Sequence, residues 1–263
     1  MKFITKIFNK RANWAIPYAI FLAIFVALPL VLIVIYAFQN GDGDFSMENF
    51  VRFVEQPEAV NTFIYSMGIA IITTILCILL GYPAAWILSN QKLNRSGITV
   101  VLFILPMWIN ILVRTLATVA LFDFLKFPLG EGALIFGMVY NFLPFMIYPL
   151  YNTLQKMDHS LIEAAEDLGA TPIEVFRKVT IPLSMPGVMS GIMMVFMPTI
   201  STFAIAELLT MNNVKLFGTT IQENINNGMW NYGAALSLIM LIIIGVTSLF
   251  SDGDEQNDSE SLI

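Results

Sequence analysis

The stretch QKMDHSLIEAAEDLGATPIEVFRKVTIPLSMP, residues 155–186, carries the clearest local signals in the chain. Ser160 followed by Glu163 matches a capping box, in which two side chains satisfy free backbone N–H groups at a helix start. Gly169 can adopt the left-handed conformation that ends many helices. These signals predict a short helix between Ser160 and Gly169.

This first helix is predicted to be amphipathic. Its apolar positions recur at the spacing of one helix face: Leu161, Ala164, Ala165 and Leu168. Its charged rim is acidic: Glu163, Glu166 and Asp167. The alanines and the glycine that follows them are small and permit close approach of another backbone. The helix is therefore suited to docking into a groove on a partner.

A second helix start follows at once. Thr171 is a suitable N-cap residue, Pro172 is favoured at the first helical position, and Glu174 supplies an acid in the first turn. Arg177 and Lys178 lie near the end of this helix, where positive charge is favourable. The segment therefore predicts two short helices that are joined by a bend and stand in the cytoplasm.

The rest of the chain is dominated by apolar sequence. Of its 263 residues, 57% are hydrophobic and 12% are charged, about half of the charged fraction usual in soluble domains. Long uncharged runs occur at residues 12–41, 59–91, 96–113, 132–155, 179–206 and 224–251. A helix needs about 20 apolar residues to cross a bilayer. This composition excludes an ordinary soluble enzyme, a nucleic-acid-binding protein and a disordered protein.

The sequence accordingly predicts an all-α membrane protein with six transmembrane helices. We expect the spans at residues 14–38, 62–88, 98–122, 133–154, 187–206 and 233–250. Basic residues indicate the orientation, because they are enriched in cytoplasmic segments. With the amino terminus inside, the inner segments hold Lys2, Lys6, Lys10, Arg11, Lys92, Arg95, Lys156, Arg177 and Lys178, and the outer segments hold Arg52, Lys126 and Lys215. Both termini are therefore predicted to be cytoplasmic.

Three parts are predicted along the chain. Residues 1–57 contain an amino-terminal cytoplasmic segment, the first span and an outer loop. Residues 58–250 contain the other five spans and the inner segment 155–186. Residues 251–263 form a tail with five acidic residues and no basic residue, and we expect this tail to be disordered.

The run Glu163-Ala164-Ala165, followed by Gly169 and by VTIP at 179–182, resembles the EAA loop of permease subunits of ATP-binding-cassette (ABC) importers. Valine and isoleucine stand in that last motif where the family usually has isoleucine and leucine. Three further stretches are similar to the B-type permeases of spermidine/putrescine importers: LGYPAAWIL at 80–88, LPMWINILVRTLA at 105–117 and LPFMIYPLYNTLQKMD at 143–158. The resemblance covers nearly the whole chain except the acidic tail, where a basic end is expected.

The resemblance implies a type I ABC importer permease fold that crosses the lipid of the bacterial cytoplasmic membrane several times. It implies a homologous second permease subunit, two cytoplasmic ATPase subunits and an extracytoplasmic polyamine-binding protein as partners. The implied coupling residues are Glu163, Ala164, Ala165, Gly169 and Pro182. The sequence has no G-x-x-x-x-G-K-[ST] phosphate loop, so ATP with Mg²⁺ is expected on the ATPase partner. The permease itself is expected to have neither a catalytic site nor a cofactor.

A smaller set of residues is predicted for the substrate pathway. Glu207 closes the apolar run of the predicted fifth span, where an acid is costly without a cation or a partner. It is expected either to contact a cationic substrate or to pair with Arg114, a structural charge inside the predicted third span. Trp108, Asn110 and Tyr140 place aromatic and amide groups among apolar neighbours and are candidates for the pathway lining.

Other functions stay open at this point. An importer of the same architecture for another organic cation or an amino-acid-like substrate is the main alternative, because a separate binding protein selects the substrate. An ion channel would also have uncharged spans and an acidic mouth, but it would not need the capped helices at 155–186. An intramembrane enzyme would need paired catalytic groups at membrane depth. No metal site is expected, because His159 has no second His or Cys nearby.

Overall fold

The computed structural model describes residues 16–90 and 98–260, without the side chains of His159 and of residues 249–260. These ranges are almost entirely helical, and one isolated β bridge within them joins Gln39 to Phe45. The helices are α1 (Ile16–Ala37), α2 (Glu48–Glu55), α3 (Pro57–Ser89), α4 (Ile98–Trp108), α5 (Ile111–Leu125), α6 (Glu131–Lys156), α7 (His159–Asp167), α8 (Pro172–Ser201), α9 (Ala204–Thr210), α10 (Phe217–Asn226) and α11 (Trp230–Glu260). Residues 1–15 and 91–97 lie outside the described residues, and with them the predicted amino-terminal cytoplasmic segment and the predicted inner residues Lys92 and Arg95.

Five helices of the described chain are long and apolar enough to cross a membrane, and the number reaches six, as predicted, if one bent pair of helices counts as a single span. Five are the single helices α1, α3, α6, α8 and α11, and the sixth is the bent pair of α4 and α5. α1 has a mean hydropathy of 3.0, and none of the residues in its apolar window is buried. A helix that is apolar on every side suits contact with lipid or with a neighbouring apolar surface.

The third span differs from the continuous helix that the sequence predicts at 98–122. α4 and α5 are bent against each other by 98° at a short break. Before the break the chain tightens into a 3₁₀ turn at Leu105–Trp108, where Pro106 provides no backbone N–H. The Asn110 side chain then caps α5, because its Oδ1 accepts from the backbone N–H of Leu112 at 2.8 Å. The local geometry therefore divides the span into two helices.

The fifth span also differs from the prediction at 187–206. The predicted second cytoplasmic helix and this span form one continuous helix, α8. A wide π-helical turn at Phe176–Thr180 lies just before Pro182. Because a proline lacks an N–H and its ring crowds the carbonyl four residues earlier, a wider turn lets the helix continue past it. The helix ends at Ser201, and α9 begins after two non-helical residues.

The described residues form two compact units. The larger unit combines Glu58–Gln222 with the described residues from Ile242 onward. Within it, α6 packs against α8 and α9. The core of this unit is apolar and draws on α3, α6, α8 and α9: Cys77, Leu134, Met138, Met146, Leu150, Val195 and Leu209.

Glycines allow α6 and α8 to approach each other closely. A Cβ added at Gly187 would lie 2.6 Å from Thr153 Oγ1 and 3.1 Å from the carbonyl oxygen of Pro149. A Cβ added at Gly191 would lie 2.6 Å from Met146 Sδ. These distances are shorter than van der Waals contact, so the two backbones pack at this spacing only because both positions lack a side chain.

The smaller unit combines the described residues up to Pro57 with Glu223–Leu241. Asn49 of α2 is buried, and its Nδ2 donates to the carbonyl oxygens of Ala37 and Gln39, at 3.1 and 2.8 Å. These hydrogen bonds hold α2 against the end of α1.

The start of α11 is tied to the same part of the chain. The guanidinium of Arg52 lies over the ring of Tyr232, 4.4 Å from its centroid, and the Tyr232 hydroxyl donates to Gln56 Oε1 at 3.0 Å. Asn231 Nδ2 donates to the carbonyl oxygen of Asn40 at 2.6 Å. A cavity of about 450 Å³ opens beside these contacts.

α11 extends into the acidic tail at 251–263, which the sequence predicts to be disordered. Its backbone is helical as far as Glu260. Extension of an existing helix adds a hydrogen bond for each residue without a new nucleation step, so it costs less than starting a helix. The last three residues lie outside the described part of the chain.

Gly187→Ala is expected to destabilise the protein, because the new methyl group meets the stiff side chain of Thr153. The expected loss is about 1–3 kcal/mol, and it is measured as a lower midpoint of thermal unfolding in detergent. Gly68→Ala in α3 is the matched control, because nothing lies within 4 Å of its added Cβ. The control should unfold at an equal or higher temperature, and an equal midpoint for Gly187→Ala would contradict the close packing of α6 and α8.

Candidate functional site

α7 begins at a different cap from the one that the sequence predicts. Asp158 is the N-cap residue, and its Oδ1 accepts from the backbone N–H of Ser160 at 2.9 Å. The predicted capping box at Ser160 and Glu163 is therefore wrong, since Ser160 lies inside the helix. The aspartate comes first along the chain, has extended backbone geometry, and offers a charged acceptor, which makes a stronger hydrogen bond than a hydroxyl.

α7 ends in a Schellman motif, which confirms the predicted left-handed cap. Gly169 has a φ of +85°. Its backbone N–H donates to the carbonyl oxygen of Glu166 at 2.8 Å, and the N–H of Ala170 donates to that of Ala165 at 3.1 Å. The last carbonyls of α7 are thereby satisfied, and the direction in which the chain leaves the helix is constrained.

α8 begins at the predicted N-cap residue, Thr171, which forms a capping box with Glu174. Glu174 Oε2 accepts from the backbone N–H of Thr171 at 3.0 Å, and Thr171 Oγ1 accepts from the N–H of Glu174 at 3.4 Å. Lys178 Nζ donates to Glu174 Oε1 at 3.1 Å. Two capped helix ends therefore lie only a few residues apart, and hydrogen bonds constrain the chain on both sides of the turn.

The surface that the sequence predicts to dock is exposed. Leu168 is 90% exposed, and Ile173 in the first turn of α8 is 78% exposed. Glu163 and Ala164 are exposed as well, while Ala165 is half-buried. Burial of a large apolar side chain is worth about 1.5–3 kcal/mol. Apolar side chains as exposed as these favour a partner that covers them.

An aromatic cluster at the start of α8 is not evident from the sequence. The Phe176 ring packs edge-on against Tyr82 and Trp86 of α3, with ring centroids 5.7 and 6.2 Å apart. The hydroxyl oxygens of Tyr82 and Ser184 are 2.7 Å apart. The one sequence signal is the four-residue spacing of Tyr82 and Trp86, which places both rings on one face of a helix.

Arg114 lies inside α5 and is only 5% exposed. Its Nη1 donates to the carbonyl oxygen of Asn141 on α6 at 3.4 Å, while its Nε has no hydrogen-bond partner among the described residues. Asn141 is also fully buried, and its Nδ2 donates to the carbonyl oxygen of Gly137 at 2.8 Å. This hydrogen bond connects α5 to α6, which is consistent with the predicted structural role of Arg114.

Glu207 lies on α9 rather than at the end of the fifth span. α9 packs against α5 and α6, and its Leu209 carbonyl accepts from the N–H of Gly130 at 2.9 Å. Glu207 is half-buried, and within the described part of the chain its carboxylate forms no ion pair with Arg114. The sequence leaves two roles open for Glu207, contact with a cationic substrate or pairing with Arg114. The structure does not show the pairing.

The other predicted pathway residues have distinct surroundings. Trp108 is 89% exposed on the turn before the break between α4 and α5. Asn110 is exposed and caps α5, so its amide has a structural role. Tyr140 is partly exposed, and its ring stacks on Phe136 with centroids 6.4 Å apart. Pathway roles for Trp108, Asn110 and Tyr140 stay predictions. The described residues contain no cluster of His, Cys, Asp and Glu that suits a metal ion.

This arrangement of spans and capped helices matches a known family. The model of the binding-protein-dependent transport system inner membrane component family matches residues 77–253. The chain belongs to this family. Membership agrees with the apolar spans and describes a multi-pass protein of the inner membrane.

Relatives of this inner membrane component cover most of its length. It is 32% identical to the spermidine/putrescine transport system permease protein PotB of Escherichia coli (strain K12), over 87% of this chain and 91% of the relative. It is 32% identical to the protein of the same name in Haemophilus influenzae, over 86% of this chain and 87% of the relative. A PotB homolog of Mycoplasma genitalium is 30% identical over 83% and 82% of the two chains.

Solved structures show the same fold for this family member. A chain of a bacterial ABC transporter involved in the import of the acidic polysaccharide alginate aligns with a TM-score of 0.69 and 16% identity, over 98% of this chain and 99% of that one. A chain of the MetNI methionine ABC transporter in an inward-facing conformation aligns with a TM-score of 0.60 and 16% identity, over 75% and 94%. The fold is that of type I ABC importer permeases, and the chain is a permease subunit of an ABC transporter.

Proposed function

We propose that this permease subunit serves an ATP-driven importer of polyamines, with spermidine and putrescine as its substrates. The proposal rests on the PotB proteins, whose names assign them to spermidine/putrescine transport and which match this chain over most of their length. The subunit pairs with a homologous second permease, and each half contributes to the translocation pathway. Two cytoplasmic ATPase subunits and an extracytoplasmic polyamine-binding protein complete the importer.

The mechanistic part of this proposal concerns the exposed surface that is formed by α7 and the turn after it. Leu168 and Ile173 present apolar groups, and Glu163 presents a carboxylate on the same short segment. The ATPase subunit covers this surface with a groove on its own face. Because ATP is bound and hydrolysed on that partner, this chain supplies the contact through which closure of the ATPase dimer moves the spans.

The coupling residues have different parts in this contact. Glu163, Ala164 and Ala165 form the face that enters the groove, and the two alanines keep the helix narrow enough for close approach. Gly169 sets the angle at which the chain leaves α7. Pro182 is exposed just after the π-helical turn, so it belongs to the segment of α8 that first receives the movement.

Recognition of a polyamine requires separated negative charges and aromatic faces, because the substrate is a flexible polycation. Glu207 is available for such a contact, since its carboxylate is not neutralised by Arg114. The exposed ring of Trp108 offers a cation–π surface. Acidic side chains on the outer segments raise the local concentration of cations at the entrance: Asp42, Asp44, Glu48, Glu55, Glu58, Asp123, Glu131 and Glu223.

Uptake measurements test the substrate. Transport-deficient cells that carry the chain with its partner subunits should take up labelled putrescine or spermidine in an ATP-dependent manner, and an otherwise identical strain without this chain should not. Absence of polyamine uptake by an assembled complex would contradict the polyamine assignment and leave the family unchanged. Uptake of another organic cation or of an amino-acid-like compound in its place would support the main alternative.

Glu207→Gln is expected to raise the half-saturating polyamine concentration about ten-fold, which corresponds to ~1.4 kcal/mol of lost contact energy. The substitution keeps the shape of the side chain and removes its charge. Glu55→Gln on the exposed surface of α2 is the matched control: it removes only one of the many entrance charges, so it should raise the half-saturating concentration much less than Glu207→Gln does. Unchanged uptake kinetics for Glu207→Gln would contradict a substrate role for this carboxylate.

Gly169→Asp is expected to lower polyamine uptake by about ten-fold or more at an unchanged rate of ATP hydrolysis, because a new carboxylate must lose its water when the ATPase docks. Gly169→Asn is the matched control, since asparagine has the same shape, tolerates the left-handed conformation and carries no charge. Uptake, ATPase activity and the amount of chain in the membrane are measured together. Normal uptake by Gly169→Asp would show that this turn has no part in coupling.

A further inference from the structure

Phe176 joins the π-helical turn of α8 to the end of α3. Its half-buried ring is the first residue of that turn and packs edge-on against Tyr82 and Trp86. Edge-to-face pairs of aromatic rings are worth about 0.5–1.5 kcal/mol beyond the area that they bury, and they favour a particular orientation. The contact therefore aligns two segments that are more than eighty residues apart in the sequence.

A hydrogen bond reinforces the same junction. Ser184 Oγ donates to the carbonyl oxygen of Ile181 at 2.9 Å, so the Tyr82 hydroxyl is the donor in the 2.7 Å contact with Ser184. Tyr82 thus contacts α8 on both sides of Pro182, through Phe176 before it and Ser184 after it. The end of α3 and the start of α8 are held together across the turn.

The contact between Phe176 and the end of α3 has further helices on both of its sides, α7 on one and α6 on the other. On the cytoplasmic side that the sequence predicts, α7 packs against the first residues of α8 and against the π-helical turn. At Gly81, the residue before Tyr82 on α3, an added Cβ would lie 2.9 Å from Met146 Cγ, so α3 is in close contact with α6. π-helical turns are rare and occur frequently at functional sites.

We propose that Phe176 is the positioning residue that passes the movement of α7 to α3. When the ATPase shifts α7, the π-helical turn follows, and the aromatic contact makes α3 move together with α8. Without the ring, α8 would shift while α3 stayed behind, and ATP hydrolysis would no longer be converted efficiently into opening of the pathway. The inference rests on the proposed function, because it concerns the transmission of ATPase movement.

The test uses the complete importer, reconstituted with its ATPase and binding protein in lipid vesicles. Phe176→Ala should reduce the amount of polyamine transported per ATP hydrolysed by about five- to ten-fold, a range consistent with coupling changes at residues that contact neither ligand. Phe176→Tyr keeps the ring and should retain the normal ratio. Tyr82→Phe removes only the hydrogen bond to Ser184 and should cause a smaller reduction. Phe124→Ala, which truncates an exposed ring at the end of α5, is the matched control and should retain the normal ratio.

The ratio is read per assembled complex, so a loss of protein alone does not change it. A normal ratio for Phe176→Ala, or the same reduced ratio for Phe124→Ala, would overturn the inference. If Phe176→Ala does not assemble, Phe176→Leu keeps most of the apolar volume and is judged by the same ratio. Absence of polyamine transport by the unaltered importer would contradict the proposed function instead, and that result is obtained before any variant is compared.

Discussion

Every backbone polar group within a bilayer must find a partner in the protein, because the hydrocarbon core contains no water to replace it. Continuous helices meet this requirement along most of the chain. The breaks meet it with local hydrogen bonds: Asn110 accepts from the N–H of Leu112 where the third span bends, and the N–H of Thr202 donates to the carbonyl of Pro198 where α8 ends. Local hydrogen bonds therefore satisfy the backbone where the spans are interrupted, and these interruptions lie next to the helices that carry Glu207 and the exposed Trp108.

Charged side chains inside the protein also need polar partners. Arg114 of α5 is buried, and its Nη1 donates to the carbonyl oxygen of Asn141 on α6, while its Nε has no hydrogen-bond partner among the described residues. Glu207 lies on a short helix that packs against the same two helices, yet its side chain is only half-buried. A buried charge and a more accessible charge thus occur on neighbouring elements, and the accessible one is the carboxylate that we propose contacts the substrate.

The segment from α7 to the start of α8 combines rigidity with exposure. Caps on both sides of the turn at Gly169 reduce the freedom of the connection, while Leu168 and Ile173 remain exposed for a partner. A rigid connection transmits displacement better than a flexible one, because less of the movement is absorbed by backbone rotation. The long, continuous helix α8 and the contact of Phe176 with α3 then link this exposed surface to the core of the larger unit.

Local signals in the sequence determined the apolar spans, the cap at Gly169 and the N-cap at Thr171, because helix ends and apolar runs depend on residues only a few positions apart. They were insufficient at Asp158 and Ser160, where two nearby residues could each act as the N-cap, and at α8, where the helix continues past Pro182 through a wide turn. Only the tertiary structure decided that Arg114 bonds to the carbonyl oxygen of Asn141 and not to Glu207. It also decided that Phe176 meets Tyr82 and Trp86, since contacts between distant segments follow from how whole helices pack.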